Sequence, residues 1–253
     1  LQQQAREASQ HDDDATYMPH LIFPGGGIYF YWQAGVVTYL REHGYNLNAT
    51  TMAGASAGAL TATLAATNVD FYRATELALD LAAHAGVWDR SGGLQGIWGD
   101  LIHEWLHELI PDTAIESVDR RLLLLVTPVP SFGKVAVDTF HDKHDLIRCN
   151  MASVHLPWFL NSKLTTNFRN QRCIDGSFLS SLHDYAKCRG TVDSSTTLIL
   201  DYNRDPLYSN SGLLSFVDTL KPQGIYRLLD GGKKYAQVME ERGDFSILKK
   251  NTA

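Results

Sequence analysis

Gly54-Ala55-Ser56-Ala57-Gly58 sets a serine between glycines two residues away on either side. That spacing lets a strand turn into a helix too sharply for bulky neighbours, and it pushes the serine hydroxyl out as a nucleophile. A hydroxyl attacks poorly until a base takes its proton and donors stabilise the oxyanion that forms on the attacked carbonyl. Gly25-Gly26-Gly27 supplies backbone N–H groups without side-chain obstruction, at a point where a strand should hand over to a helix. The helix expected after Ser56 directs its positive dipole end at the same place. Alone, each glycine group reads equally as a tight turn or a phosphate-binding loop; on adjacent strands they indicate a nucleophile beside an oxyanion hole.

A second chemistry-bearing motif competes. His103-Glu104-Trp105-Leu106-His107 fits the His-Glu-x-x-His pattern in which two histidines one helical turn apart bind zinc and the glutamate acts as base. On a helical projection Asp100, His103, Glu104, His107 and Glu108 share one polar stripe, opposite Trp98, Ile102, Trp105, Leu109 and Ile110. That is the pattern of a solvated surface helix, and a third ligand at metzincin spacing is absent. A zinc metallopeptidase therefore stands as the alternative from another enzyme class.

Bringing the two glycine groups together requires a crossover unit. Leu21-Ile22-Phe23 is a strand candidate, and Trp32, Val36, Val37 and Leu40 recur at helical spacing until Gly44. Thr51-Met52-Ala53 is a second strand, followed by an Ala- and Leu-rich helix over 57–66. Such a unit is right-handed and lays its strands parallel, usually as neighbours, with their C-terminal ends on one edge, so the glycine loop and Ser56 should meet. Downstream the patterns predict helices over 71–85, 94–110 and 145–153, and strands over 121–129, 134–140, 171–174 and 196–202. The alternation predicts an α/β fold with a mainly parallel central sheet covered by helices on both faces.

At 253 residues and 44% hydrophobic content the chain can bury the core of one main domain. We divide it into a polar, disordered arm over 1–19, a catalytic domain over 20–205, and a helical extension over 206–253 packed on that domain, with helices near 213–220 and 225–242. The formal charge of −6 argues against nucleic acid as a partner, and no apolar run approaches the length of a bilayer span. The start, Leu1-Gln2-Gln3-Gln4, lacks an initiator Met and a signal-like apolar core and reads as a fragment or processed product. Cys149, Cys173 and Cys188 follow no metal or redox spacing and read as reduced structural thiols. Asn48-Ala49-Thr50 is a glycosylation sequon that carries little weight.

An ordinary α/β-hydrolase also carries Gly-x-Ser-x-Gly, but it needs several strands before the nucleophile and well-separated acid and histidine loops. Here a single strand precedes the nucleophile strand, and His183 follows Asp175 by only eight residues. A histidine-free mechanism fits better. The residues resemble the patatin-like phospholipase family over about 21–205. Gly25-Gly26-Gly27 is similar to the family's oxyanion loop and Gly54 to Gly58 to its nucleophile elbow. Ile174-Asp175-Gly176-Ser177 resembles its base-bearing segment, and Met151-Ala152-Ser153 with Pro157-Trp158-Phe159 the stretch just upstream.

The resemblance implies a patatin-like three-layer α/β sandwich related to α/β-hydrolases. It further implies a Ser-Asp dyad of Ser56 and Asp175, no cofactor and no metal, and lipid acyl esters as substrates: phospholipid, galactolipid or neutral glyceride. A cytoplasmic or membrane-peripheral location, with contact to a membrane or lipid droplet, is the matching expectation. The chain departs from the pattern with Tyr29 and Phe30 in place of a basic residue and a glycine, and with Ser177 where the family carries Gly or Ala. The first departure motivates a further alternative, a non-catalytic lipid-binding relative. Asp230-Gly231-Gly232 spells the base motif more literally than Asp175 does, but it falls inside a helical run, whereas Asp175 follows a strand. Tyr29-Phe30-Tyr31-Trp32 and Trp158-Phe159 are aromatic groups that serve either the core or an acyl-chain pocket.

Overall fold

The computed structural model describes residues 18–186, 195–209 and 221–251. The expected helix near 213–220, Cys188 and nearly all of the polar arm lie outside the described residues. The strands are β1 His20–Phe23, β2 Thr51–Gly54, β3 Leu122–Pro128, β4 Val135–Val137, β5 Thr166–Phe168, β6 Gln171–Ile174 and β7 Thr197–Ile199. They form one sheet in the order β5-β6-β3-β2-β1-β7, with β4 also paired to β3. β7, β1, β2 and β3 run parallel, whereas β4 and β6 are antiparallel to β3 and β5 is antiparallel to β6.

β1, β2 and β3 are buried along their whole length, as strands covered on both faces must be. Alternate side chains divide between two apolar clusters. Leu21, Phe23, Met52, Leu122, Leu124 and Val126 enter the large one with the helices; Ile22, Ala53, Leu123 and Leu125 pack with Tyr185 on the other face. The helices are α1 Phe30–Glu42, α2 Ala57–Ala66, α3 Phe71–His84, α4 Trp98–Leu109, α5 Ala114–Val118, α6 Lys143–Ser153 and α7 Pro222–Glu241. α2 is buried on every side, which its run of Ala, Gly and Thr permits. A central sheet flanked by helices is thus the architecture, and β1 and β2 are parallel neighbours, as the crossover argument required.

Several boundaries differ from expectation. The helix predicted from Leu94 begins at Trp98, because Gly96 at φ +83° turns the chain first. The strand predicted over 134–140 shortens to Val135–Val137, and Tyr202 lies in a 3-10 turn beyond β7 rather than in the strand. β5 has no counterpart among the strands that the sequence predicts. It forms a hairpin with β6 across Arg169 and Asn170, both at positive φ (45° and 63°), and no glycine in that turn advertises it.

α7 crosses α1 closely enough that a Cβ on Gly232 would strike the Trp32 carbonyl oxygen, and one on Gly35 the Leu229 carbonyl. In the structure Asp230-Gly231-Gly232 is therefore part of a helix crossing. Asp230 itself is exposed and pairs with Lys234 one turn on, at 2.6 Å.

Candidate active site

β2 ends at Gly54, and the chain reverses into α2 through Ser56 at φ 54° and ψ −130°. A left-handed φ on a residue with a Cβ is strained and persists only where the surroundings fix it. They do so here from three sides. Gly58 lies against β1, where any Cβ would run into the Phe23 carbonyl. The Ala55 N–H donates to that carbonyl at 3.3 Å. The Ser56 N–H donates to Ser153 Oγ at 3.0 Å, and Ser153 Oγ donates onward to the Leu125 carbonyl of β3 at 2.7 Å. Ser153 is the last residue of α6, so a helix that starts nearly ninety residues after the elbow holds it in place.

Asp175 leaves β6 immediately after Ile174, and its main chain is fixed from both ends. Its N–H donates to the His155 carbonyl at 2.9 Å, the Thr127 hydroxyl donates to its carbonyl at 2.9 Å, and the Gly176 N–H donates to the Ser153 carbonyl at 2.8 Å. These anchors point its carboxylate at the elbow. Ser56 Oγ donates to Asp175 Oδ2 at 2.7 Å across 119 residues of sequence. The second carboxylate oxygen accepts from the Ser177 N–H at 2.8 Å and the Ser177 hydroxyl at 2.6 Å.

Ser56 is 9% exposed and Asp175 3%. Burial raises the carboxyl group of Asp175 above the ordinary carboxylate range; the hydrogen bonds from Ser177 and Ser56, and the charge of Lys134, work in the opposite direction. A carboxylate whose protonation point is raised is a stronger proton acceptor than an exposed aspartate.

The glycine loop adjoins Ser56 and Ser177. A Cβ on Gly25 would lie 2.5 Å from Ser177 Cβ and 3.2 Å from Ser56 Cβ, so only glycine permits this approach. Gly27, at φ +54°, lines a cavity together with Ser56. Gln33, absent from the sequence reading, fixes the loop from inside α1. Its amide donates to the Pro24 carbonyl at 2.9 Å and its carbonyl accepts from Thr61 of α2 at 2.9 Å. Tyr29 stacks face to face on Tyr202 with centroids 3.6 Å apart, packing the loop from behind.

The cavity that contains Ser56 is walled by α1, α3, α4 and the segments after α3 and α6, through residues such as Phe30, Tyr31, Leu81, Trp98, Trp105 and Leu156. Its lining is almost wholly apolar. Of the first aromatic group, Phe30 and Tyr31 face the cavity, whereas Trp32 lies in the core and donates to Asp205 at 2.9 Å. The second group does not line it: Trp158 is 60% exposed, and Phe159 meets Trp98 edge-on.

His103, Glu104 and His107 stand on the exposed face of α4. Among the described residues no group of three His, Cys, Asp or Glu side chains could hold a metal ion. His155 is buried beside Asp175, and burial lowers its ring below the usual histidine range. Its Nδ1 has no partner among the described residues and its Nε2 faces the Lys163 carbonyl at 3.3 Å, so its ring makes no hydrogen bond to Ser56 or Asp175.

A family model described as patatin-like phospholipase matches residues 21–183, well over half of the chain. The chain belongs to this family. The human patatin-like phospholipase domain-containing protein 2 is 30% identical over 173 residues, covering 66% of this chain and 33% of that protein. The mouse 1-acylglycerol-3-phosphate O-acyltransferase Pnpla3 is 27% identical over 161 residues (62% and 38%). The mouse omega-hydroxyceramide transacylase is 26% identical over 168 residues (64% and 28%). The chain thus spans about a third of the length of the curated relatives it matches. No helix among the described residues is long and apolar enough to cross a membrane.

Proposed function

We propose that this chain carries the active site of a serine acyl hydrolase acting on lipid esters, with Ser56 as nucleophile and Asp175 as base. The observation that carries the proposal is the 2.7 Å hydrogen bond to a buried carboxylate from Ser56 Oγ, whose residue lines an apolar cavity. Asp175 Oδ2 takes the Ser56 proton as Oγ attacks the ester carbon, and the carbonyl electron pair moves onto oxygen. The Gly25–Gly27 loop supplies N–H donors to that oxyanion. As the tetrahedral species collapses, the ester C–O bond breaks and protonated Asp175 returns the proton to the leaving alkoxide. Water deprotonated by the same carboxylate then attacks the acyl-enzyme and regenerates Ser56. The acyl chain occupies the cavity between α1, α3 and α4, whose lining offers a hydrocarbon contact and few polar competitors.

Two of the relatives are named for acyl transfer, so the deciding assay runs with and without glycerol as a competing acceptor. Wild type and Ser56→Ala are given a fluorophosphonate probe and p-nitrophenyl esters. Labelling of Ser56, with turnover falling at least about a thousandfold in Ser56→Ala, is expected. Undiminished turnover in Ser56→Ala overturns the assignment, and turnover abolished by a zinc chelator would favour His103, Glu104 and His107 instead. Lipid binding without turnover by the wild type would select the non-catalytic relative.

A further inference from the structure

Ser177 differs from the small apolar residue expected after Asp175-Gly176, and its surroundings give the difference a consequence. Its hydroxyl and its backbone N–H both donate to Asp175 Oδ1, at 2.6 and 2.8 Å, while Ser56 holds Oδ2 at 2.7 Å. Its Cβ lies where a Cβ on Gly25 would be only 2.5 Å away. One side chain therefore touches the base and backs the oxyanion loop at once. We infer that Ser177 is a positioning residue that keeps the Asp175 carboxylate aimed at the reacting atoms when Ser56 is acylated. This inference rests on the dyad reading above.

In the resting site the carboxylate is held from both oxygens. Once Oγ of Ser56 becomes an ester oxygen it carries no proton, and the donor to Oδ2 is gone. The carboxylate must then accept a proton from water with only the Oδ1 side fixed. Where Gly or Ala follows Asp-Gly, that side has the backbone N–H alone; here a hydroxyl doubles it. A carboxylate held by one donor can rotate about its Cβ–Cγ bond, whereas two donors converging on one oxygen resist this. The hydroxyl thus matters more for deacylation than for acylation. Because it donates to the ionised form, it also favours that form against the burial that opposes it.

Ser177→Ala removes the hydroxyl, keeps the backbone N–H and keeps the Cβ packed on Gly25. Ser177→Gly removes the packing as well and serves as the comparison. Stopped-flow hydrolysis of p-nitrophenyl butyrate is followed across pH, with the rate of fluorophosphonate labelling of Ser56 measured in parallel and folding checked by thermal denaturation. In Ser177→Ala the expected result is a pre-steady-state burst larger than in wild type and a steady-state kcat lower by about tenfold. The acid limb of the labelling rate should move to higher pH by about half to one unit. At its alkaline plateau the labelling rate should stay within about threefold of wild type. A folded Ser177→Ala with wild-type burst, kcat and acid limb overturns the inference and leaves the dyad standing. A probe that labels Ser177, or fails to label Ser56 in the wild type, overturns the dyad and the role of Ser177 with it.

Discussion

Asp175→Asn should cut activity by orders of magnitude while leaving the protein as stable as before or more so. The carboxylate accepts three hydrogen bonds, from Ser56 and twice from Ser177. Each such bond to a charged group contributes about 1.5–3 kcal/mol. Against them stands the burial of an ion, which costs several kcal/mol even after relaxation. The raised protonation point of Asp175 means that burial outweighs the hydrogen bonds. Asparagine keeps an acceptor oxygen for both Ser177 donors and turns an NH₂ toward Ser56 Oγ, which can accept, so it removes the ion while leaving the packing intact. We expect a change between zero and a gain of about 2 kcal/mol at pH 7.

The pH dependence fixes the sign of that change. An unfolded aspartate ionises near pH 3.9, and folded Asp175 ionises above its ordinary value. Between those points the native state holds a proton that the unfolded state has lost, so wild-type stability falls as pH rises through the window and levels off above it. The variant lacks this step. Its advantage is therefore absent below about pH 3.9 and grows as pH rises from there through the raised protonation point of Asp175. Urea denaturation at a series of pH values measures this, and p-nitrophenyl ester hydrolysis should fall by about 10²–10⁴-fold. A variant less stable than wild type by more than about 1 kcal/mol at pH 7, or one that keeps a tenth of the activity, would refute the account.

Two other expectations test the site's supports. Ala82→Trp places an indole in the cavity wall contributed by α3; kcat/KM for a dodecanoyl ester should drop about 10–100-fold while a butyryl ester changes less than about threefold. Gly58→Ala drives a methyl group into the Phe23 carbonyl. It should lower stability by about 2–3 kcal/mol in chemical denaturation, with the ester activity lost in proportion to the displaced elbow.

The parts of the molecule legible in the sequence are those whose cause is local. The glycines at 54 and 58 and the short apolar strands around them dictate the elbow and the parallel β1–β2 pair, because only one turn fits so few residues. The placement of the glycine loop beside Ser56 followed from crossover handedness alone. What stayed hidden depends on partners far away in the chain. Ser153 reads as one more helical residue until β3 and the elbow arrive at its hydroxyl, and Gln33 gives no sign that it will bridge Pro24 and Thr61. The β5–β6 turn escapes because Arg169 and Asn170 take positive φ values that a sequence usually marks with glycine. The sequence leaves Trp158 to either the core or a pocket, yet its ring turns to solvent.

The interlocked glycines of α1 and α7 reach further than their packing. The stretch that matches the family model closes at residue 183, but the helix leading out of the Gly25–Gly27 loop is braced by backbone from residues 222–241 pressed against its own. Trimming the chain to the matched stretch would strip the indole of Trp32 of its cover and of its acceptor Asp205, and would free the segment that presents Gly27 to the cavity. Helix α7 is thus a keystone for a site whose Ser56 and Asp175 lie far upstream of it.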